Sequence, residues 1–200
     1  MEKPSFEQRY TEGNTPWDHD EADHNLVSVV QSLPIKPCRM LDIGCGTGSN
    51  AVWLAQAGFD VTAIDLSPTA IDRAKARADR HGLPIHFADG DFLTDMPING
   101  PFGFAFDRGC FHTMDGISQR LRFAERIATL LENDGIWLSL IGNADTPPRE
   151  VGPPRLTAME IAQAVEPYFE IQSLSAGYFG GEQEDPPKAW ICLMQKRRNQ

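Results

Sequence analysis

Three glycines at alternate positions, Gly44, Gly46 and Gly48, close an apolar run from Met40 that carries one carboxylate, Asp42, and a helix-like segment, Ser49 to Ala57, follows. Glycine has no Cβ, so a backbone built this way bends sharply and lets a ligand lie against the main chain. The helix beyond it begins with unpaired N–H groups suited to a carboxylate or a phosphate. By itself the loop receives something anionic, or the anionic end of a larger molecule. Asp42 narrows the choice. A pyrophosphate would be repelled by a carboxylate two residues before the first glycine, whereas a cationic α-amino group would be attracted, so the ligand has an amino-acid end. Asp65, about 20 positions along, stands where a carboxylate hydrogen-bonds a ribose in the two cofactor classes that use a strand, glycine loop and helix. A nicotinamide dehydrogenase would want a third glycine where Ser49 stands.

These residues need elements to bring them together, and the chain alternates strand with helix. Cys38 to Ile43 reads as the first strand and Ser49 to Ala57 as the helix after it, stopped by Gly58. Phe59 to Ile64 is a strand ending in Asp65. Ser67 and Pro68 are an N-cap and first-turn proline for a helix to about His81, with Gly82 as its stop. Pro84 to Ala88 is a short strand leading to Asp89-Gly90-Asp91-Phe92, and Phe102 to Phe106 a fourth ending in Asp107. Ile117 to Leu131 carries an apolar stripe of helical period, broken by Gly135, and Ile136 to Ile141 is a continuous apolar run, as for a strand buried on both faces. Thr146 to Pro154 is a proline-rich loop. Thr157 and Glu160 form a capping box for a helix to about Val165. Phe169 to Leu174 and Ala189 to Gln195 are the last strands, joined by the glycine-rich and acidic Gly177 to Lys188.

This order implies an α/β fold, a doubly wound, mostly parallel sheet with helices on both faces, whose loops after strands one, two and four converge at the ligand. Before it, Glu21 to Leu33 reads as a short helix ended by Pro34, and residues 1–20 show no period. Tyr10, Gly13, Pro16, Trp17, Asp18 and His19 nevertheless suggest an ordered lid, because disordered leaders are poor in aromatic residues.

With 200 residues the chain suits one domain, and 41% hydrophobic and 23% charged residues are ordinary for a soluble globular protein. A net charge of −10 argues against a sequence-independent grip on nucleic acid, the one cationic cluster being Lys196-Arg197-Arg198. No apolar run approaches a membrane span, and MEKPSFEQRY is no signal peptide. Four scattered cysteines suggest neither a metal site nor disulfides, which fits a cytoplasmic home.

LDIGCGTG, VTAIDLSPTAI and DGDF together closely resemble the first three motifs of the class I S-adenosylmethionine-dependent methyltransferases, over Met40 to Gln195. The resemblance implies a single methyltransferase domain over residues 1–200, with 1–35 as an N-terminal lid and helix over the cofactor cleft. It also implies a Rossmann-like, seven-stranded sheet whose last strand is antiparallel. Gly44, Cys45, Gly46 and Gly48 would hold the methionine part of S-adenosylmethionine, with Asp42 near its ammonium. Asp65 would accept from the ribose hydroxyls, Leu66 would pack on the adenine, Asp91 would take its amino group and Phe92 would lie against the ring. Tyr10, Gly13 and Pro16-Trp17-Asp18, Gly-Ser-Asn after the loop, Phe106-Asp107-Arg108-Gly109 and Ala189-Trp190 look like the thiopurine, thiol and halide methyltransferase branch, whose acceptors are small soft nucleophiles. Asn50 fits that pattern and would support the loop by hydrogen bonds, or it is an ordinary polar residue of a first helical turn.

A sulfonium is already electrophilic, so such an enzyme chiefly aligns its acceptor and excludes water, and it needs no metal. A thiol or halide can arrive as an anion and need no base. If one is used, His112 and Asp107 are the candidates, His112 for its pKa near neutrality and Asp107, which is also a candidate cofactor contact, more for lining the site or supporting structure. The bland alternative pairs Asp107 with Arg108 and makes His112 a polar residue starting the next helix. Trp17 either covers the sulfonium or packs the lid, and Cys110 is a small apolar filler. The expected acceptor is a thiol, halide or chalcogen oxyanion. Small-molecule O- or N-methylation, or a non-catalytic S-adenosylmethionine-binding protein, are the alternatives. Base methylation of nucleic acid would want an Asn/Asp-Pro-Pro-aromatic set where Asp107-Arg108-Gly109-Cys110 stands. A monomer or homodimer is expected.

Overall fold

In the computed structural model, which describes residues 5–33, 35–94, 97–145, 152–180 and 184–198, seven strands form one sheet in the order β3-β2-β1-β4-β5-β7-β6. The strands are β1 (Arg39–Ile43), β2 (Asp60–Asp65), β3 (His86–Asp89), β4 (Phe102–Arg108), β5 (Leu131–Gly142), β6 (Phe169–Tyr178) and β7 (Lys188–Lys196). β7 runs antiparallel between β5 and β6, and the remaining pairings are parallel, as expected. The helices are α1 (Phe6–Glu12), α2 (His24–Ser32), α3 (Ser49–Gln56), α4 (Pro68–His81), α5 (Gly116–Leu130) and α6 (Ala158–Val165).

Each face of the sheet has its own core. Leu26 of α2, Ala51 and Leu54 of α3 and Ile71 of α4 pack with Met40, Phe104, Phe106 and Leu138 on one side. Phe123 and Ile127 of α5 and Ile161 and Val165 of α6 pack with Leu41, Ile43, Ala105 and Trp137 on the other. Successive residues of β4 and β5 point to opposite cores, which is why those strands read as unbroken apolar runs. Strand order reverses between β1 and β4, and the crevice at their carboxyl ends is where such sheets bind ligands.

Several boundaries differ from expectation. The leader holds a helix, α1, capped by the Ser5 side chain and closed by Gly13 in the left-handed conformation. Seven residues are too few to show a period and too few to be stable alone, so tertiary contacts must hold them. β4 continues through Asp107 and Arg108, and β6 continues to Tyr178. α5 ends at Leu130, and Leu131 already pairs with Phe102 before a register shift that brings Ile136 opposite Phe104. His112 starts no long helix but sits in a single 3-10 turn, Phe111–Thr113. Of the proline-rich loop, residues 146–151 lie outside the described residues, as do 181–183 of the acidic segment. No described helix is long and apolar enough to cross a membrane.

Candidate functional site

The glycine loop is fixed by its neighbours on three sides. Gly44 N–H and Cys45 N–H donate to Ile64 O at 2.8 and 2.9 Å, tying it to β2, and Gly46 N–H donates to Asp65 Oδ2 at 2.8 Å. Gly48 takes φ +84°, and a Cβ there would stand 2.9 Å from Ala74 Cβ, so only glycine lets α3 begin this close to α4. Gly46, at φ +56°, faces the Tyr10 hydroxyl, which a Cβ would meet at 2.8 Å.

Beneath the loop Asp42 is 1% exposed, and its Oδ2 has no hydrogen-bond partner. Burial, with Asp65 and Asp107 adding like charge, pushes its pKa up to about 8. A sealed carboxylate oxygen without a donor is costly unless a cation comes to it. That is the complement of an α-ammonium, so the chain's residues fit the amino-acid end of S-adenosylmethionine. Asp65 spends one lone pair on Ser67 N–H and one on Gly46 N–H, leaving capacity on both oxygens for hydroxyl donors. Burial raises its pKa as well.

On the adenine side the outcome is mixed. Leu66 is 55% exposed, an apolar surface open to a flat ring. Asp91 stays exposed, its Oδ1 accepting from Leu93 N–H in a turn. Phe92 turns inward instead. It is 6% exposed, its ring centroid lies 4.9 Å from that of Phe123, and the Arg126 guanidinium stands 5.3 Å away. Its apolar surface is more stabilising in the α5 core than on the cleft rim.

The N-terminal segment lies across the loop. Glu7 accepts from Ser67 Oγ, from Thr69 Oγ1 at 2.6 Å and from Thr69 N–H at 3.2 Å, at the start of α4. Arg73 Nη2 donates to Tyr10 O at 2.8 Å, Thr47 Oγ1 donates to Asp18 Oδ1 at 2.6 Å, and Arg77 reaches Asp20 and Thr47. Trp17 Nε1 donates to Tyr10 Oη at 2.9 Å, and its ring already has a cation, Arg9, 4.1 Å from the centroid. Packing within this segment, the plainer of the two expected roles, accounts for Trp17. Asn50 supports this segment rather than the loop: its Oδ1 accepts from Asp23 N–H at 2.9 Å.

At the end of β4 the two candidate bases are both committed. Asp107 is fully buried. Its Oδ1 accepts from Cys110 N–H and Phe111 N–H at 3.1 and 2.9 Å, and its Oδ2 from Trp137 Nε1 at 3.0 Å. Burial raises its pKa to about 6, against those hydrogen bonds. It folds the turn that follows β4 and does not pair with Arg108. His112 is 6% exposed, and Gly142 N–H donates to its Nδ1 at 2.7 Å. Burial and the charge of Arg108 lower its pKa to about 3, so it is neutral across the working range. Burial raises Cys45 and Cys110 well above the usual thiol value, which keeps both protonated and inert.

Arg108 pairs instead with Asp23, Nε to Oδ2 at 2.8 Å, and donates to Trp17 O at 3.0 Å and Gly180 O at 2.7 Å. Gly180 N–H donates to the same Asp23 oxygen at 2.7 Å. Although burial pushes Asp23 up, the guanidinium holds it below the usual carboxylate range. One buried ion pair thus joins the N-terminal segment, the end of β4 and the residues after β6. Sequence reasoning missed Asp23 and Gly180. The spacing of 85 residues between Asp23 and Arg108 carries no local signal. Tyr10 was named in the lid set and in the branch pattern, but its contact with Gly46 carried no local signal.

The family model described as Thiopurine S-methyltransferase (TPMT) matches residues 1–184. The chain is 26% identical over 162 residues to the 2-heptyl-1-hydroxyquinolin-4(1H)-one methyltransferase of Mycobacteroides abscessus, across 80% of this chain and 70% of that protein. It is 30% identical over 146 residues to thiocyanate methyltransferase 1 of Brassica oleracea, across 70% of this chain and 62% of that longer protein. Its fold matches that of the 1,6-didemethyltoxoflavin-N1-methyltransferase of Burkholderia thailandensis, solved with 1,6-didemethyltoxoflavin and S-adenosylhomocysteine. There the TM-score is 0.76 at 21% identity, over 94% of this chain and 84% of the other.

Proposed function

As the chain belongs to the thiopurine S-methyltransferase family, enzymes that depend on S-adenosylmethionine, we propose that it methylates a small soft nucleophile, a thiol, halide or chalcogen oxyanion, by direct in-line displacement. The bound cofactor supplies an electrophilic methyl group. The chain's residues do the rest: Asp42 meets the ammonium, the glycine loop and the start of α3 meet the carboxylate, Asp65 accepts from the ribose, and Leu66 covers the adenine. The N-terminal segment, read over residues 1–35, is the lid; its described part is held down by Glu7 and by the Arg108–Asp23 pair, and it excludes water.

One observation carries the acceptor reading. Around the end of β4 each candidate base is spent: Asp107 on three protein donors, His112 on Gly142 N–H, Cys45 and Cys110 by protonation. An acceptor that needs its proton removed by the enzyme would find no base there, so the acceptor arrives already ionised or carries no proton. The Brassica relative is named for thiocyanate, a soft anion of this kind. The test is a methyl-transfer screen read by product mass over thiols, sulfide, iodide, thiocyanate, selenite, tellurite, small phenols and amines. Transfer to the soft anions is expected, and activity on phenols or amines alone would defeat the assignment.

A further inference from the structure

His112 stands in the turn at the carboxyl end of β4, beside the crevice. Its turn follows β4 at the switch point between β1 and β4, and the adjoining Cys110 packs against the glycine loop, where a Cβ on Gly44 would come within 3.0 Å of its Cβ. On the far side the ring is held edge-on by Phe179, with centroids 6.1 Å apart. Gly109, at φ +81°, stands beside the ring's Cε1 and Nε2, where a Cβ would come within 3.2 and 3.3 Å. A larger residue there would crowd that edge of the ring.

The hydrogen bond from Gly142 N–H decides what the ring can do. An Nδ1 that accepts a backbone N–H carries no proton, so the neutral ring holds its one proton on Nε2. Among the described residues no group accepts from Nε2. A general base needs a free lone pair, and His112 has none to give: one nitrogen is occupied and the other is a donor. A neutral donor fixed near the Arg108 guanidinium, which lies 5.2 Å from the centroid of the same Phe179 ring, favours a ligand atom that brings negative charge.

We propose that His112 is the residue that holds the acceptor, donating its Nε2–H to an anionic nucleophile and so selecting acceptors that bind ionised. This rests on the soft-nucleophile reading above and adds to it which atom recognises the nucleophile. The deprotonated acceptor enters from solvent, its lone pair forms the new bond to the methyl carbon as the carbon–sulfur bond of the sulfonium breaks, and no proton passes through His112.

Two substitutions separate donor from scaffold. His112→Asn keeps an oxygen near the Nδ1 position for Gly142 N–H and removes the donor, whereas His112→Gln restores an N–H near the Nε2 position. We expect His112→Asn to raise the acceptor KM by at least about tenfold, as loss of a hydrogen bond to a charged group does. Cofactor Kd should stay within about twofold, and His112→Gln should recover part of the loss. Wild-type kcat/KM, followed against pH for aromatic and alkyl thiols, should rise with a midpoint that tracks each thiol's own pKa. A midpoint common to all thiols that vanishes in His112→Asn would show a base and overturn the proposal, as would an unchanged acceptor KM. Nitrogen-15 spectra of the imidazole read the tautomer without any turnover, and a ring protonated on Nδ1 near neutral pH also overturns it. Transfer confined to neutral amines, with the Nε2–H tautomer intact, would instead sink the acceptor reading on which the proposal stands.

Discussion

Asp42 is the residue whose behaviour in the protein alone differs most from that with a cation beside it. Its pKa in the fold, about 8, lies above that of a carboxylate in an unfolded chain, about 3.9. The stability it contributes is therefore complete below the unfolded value and is lost as pH rises towards the folded one. Asp107, at about 6, acts in the same direction over the lower part of that window. We expect the melting temperature of the cofactor-free protein to fall between about pH 5 and pH 8, and the fall to be shallower in Asp42→Asn. Cofactor affinity should move the opposite way, rising with pH as Asp42 ionises, and titration calorimetry should find that dependence gone in Asp42→Asn. Affinity that is flat with pH in the wild type would remove Asp42 from the ammonium site.

Among the elements, the connection that matters most is the buried pair of Asp23 at the cap of α2 with Arg108 at the end of β4. Asp23 serves four donors: Arg108 Nε, Gly180 N–H, Asn25 N–H and Asn25 Nδ2. Asp23→Ala would leave a guanidinium nearly buried without its counter-charge, a loss of about 3–5 kcal/mol where such pairs are broken from one side. Chemical denaturation should read that loss. The same variant should weaken cofactor binding, because Trp17 and the segment before α2 lose their tie to the sheet. A variant as stable as the wild type would show that the pair holds nothing down. Helix α1 depends on docking in the same way. It was invisible as a period because Glu7 and Tyr10 hold it to α4 through long-range bonds. By contrast α4 and α6 were legible to the residue at their starts, since Ser67-Pro68 and the Thr157–Glu160 box are local signals.

For the whole molecule, a single cofactor site implies stabilisation by mass action. At a concentration about a hundredfold above Kd, S-adenosylmethionine should add about 2.7 kcal/mol, seen as a rise in melting temperature, and Asp65→Ala should lose most of it. No shift in the wild type would contradict the site. The sequence by itself determined the alternation of strand and helix and the glycine loop with Asp42 and Asp65 beside it, because period, caps and glycine spacing are written within a few neighbouring residues, while the antiparallel last strand was implied only by the family resemblance. Tertiary structure alone decided the rest. It turned Phe92 into core, spent Asp107 on the turn after β4, gave Arg108 to Asp23, and set the proton of His112 by a backbone N–H from a strand 30 residues away. Those outcomes depend on which groups meet across the fold, and the protonation and hydrogen-bond capacity of a buried side chain are fixed by such partners, not by its place in the chain.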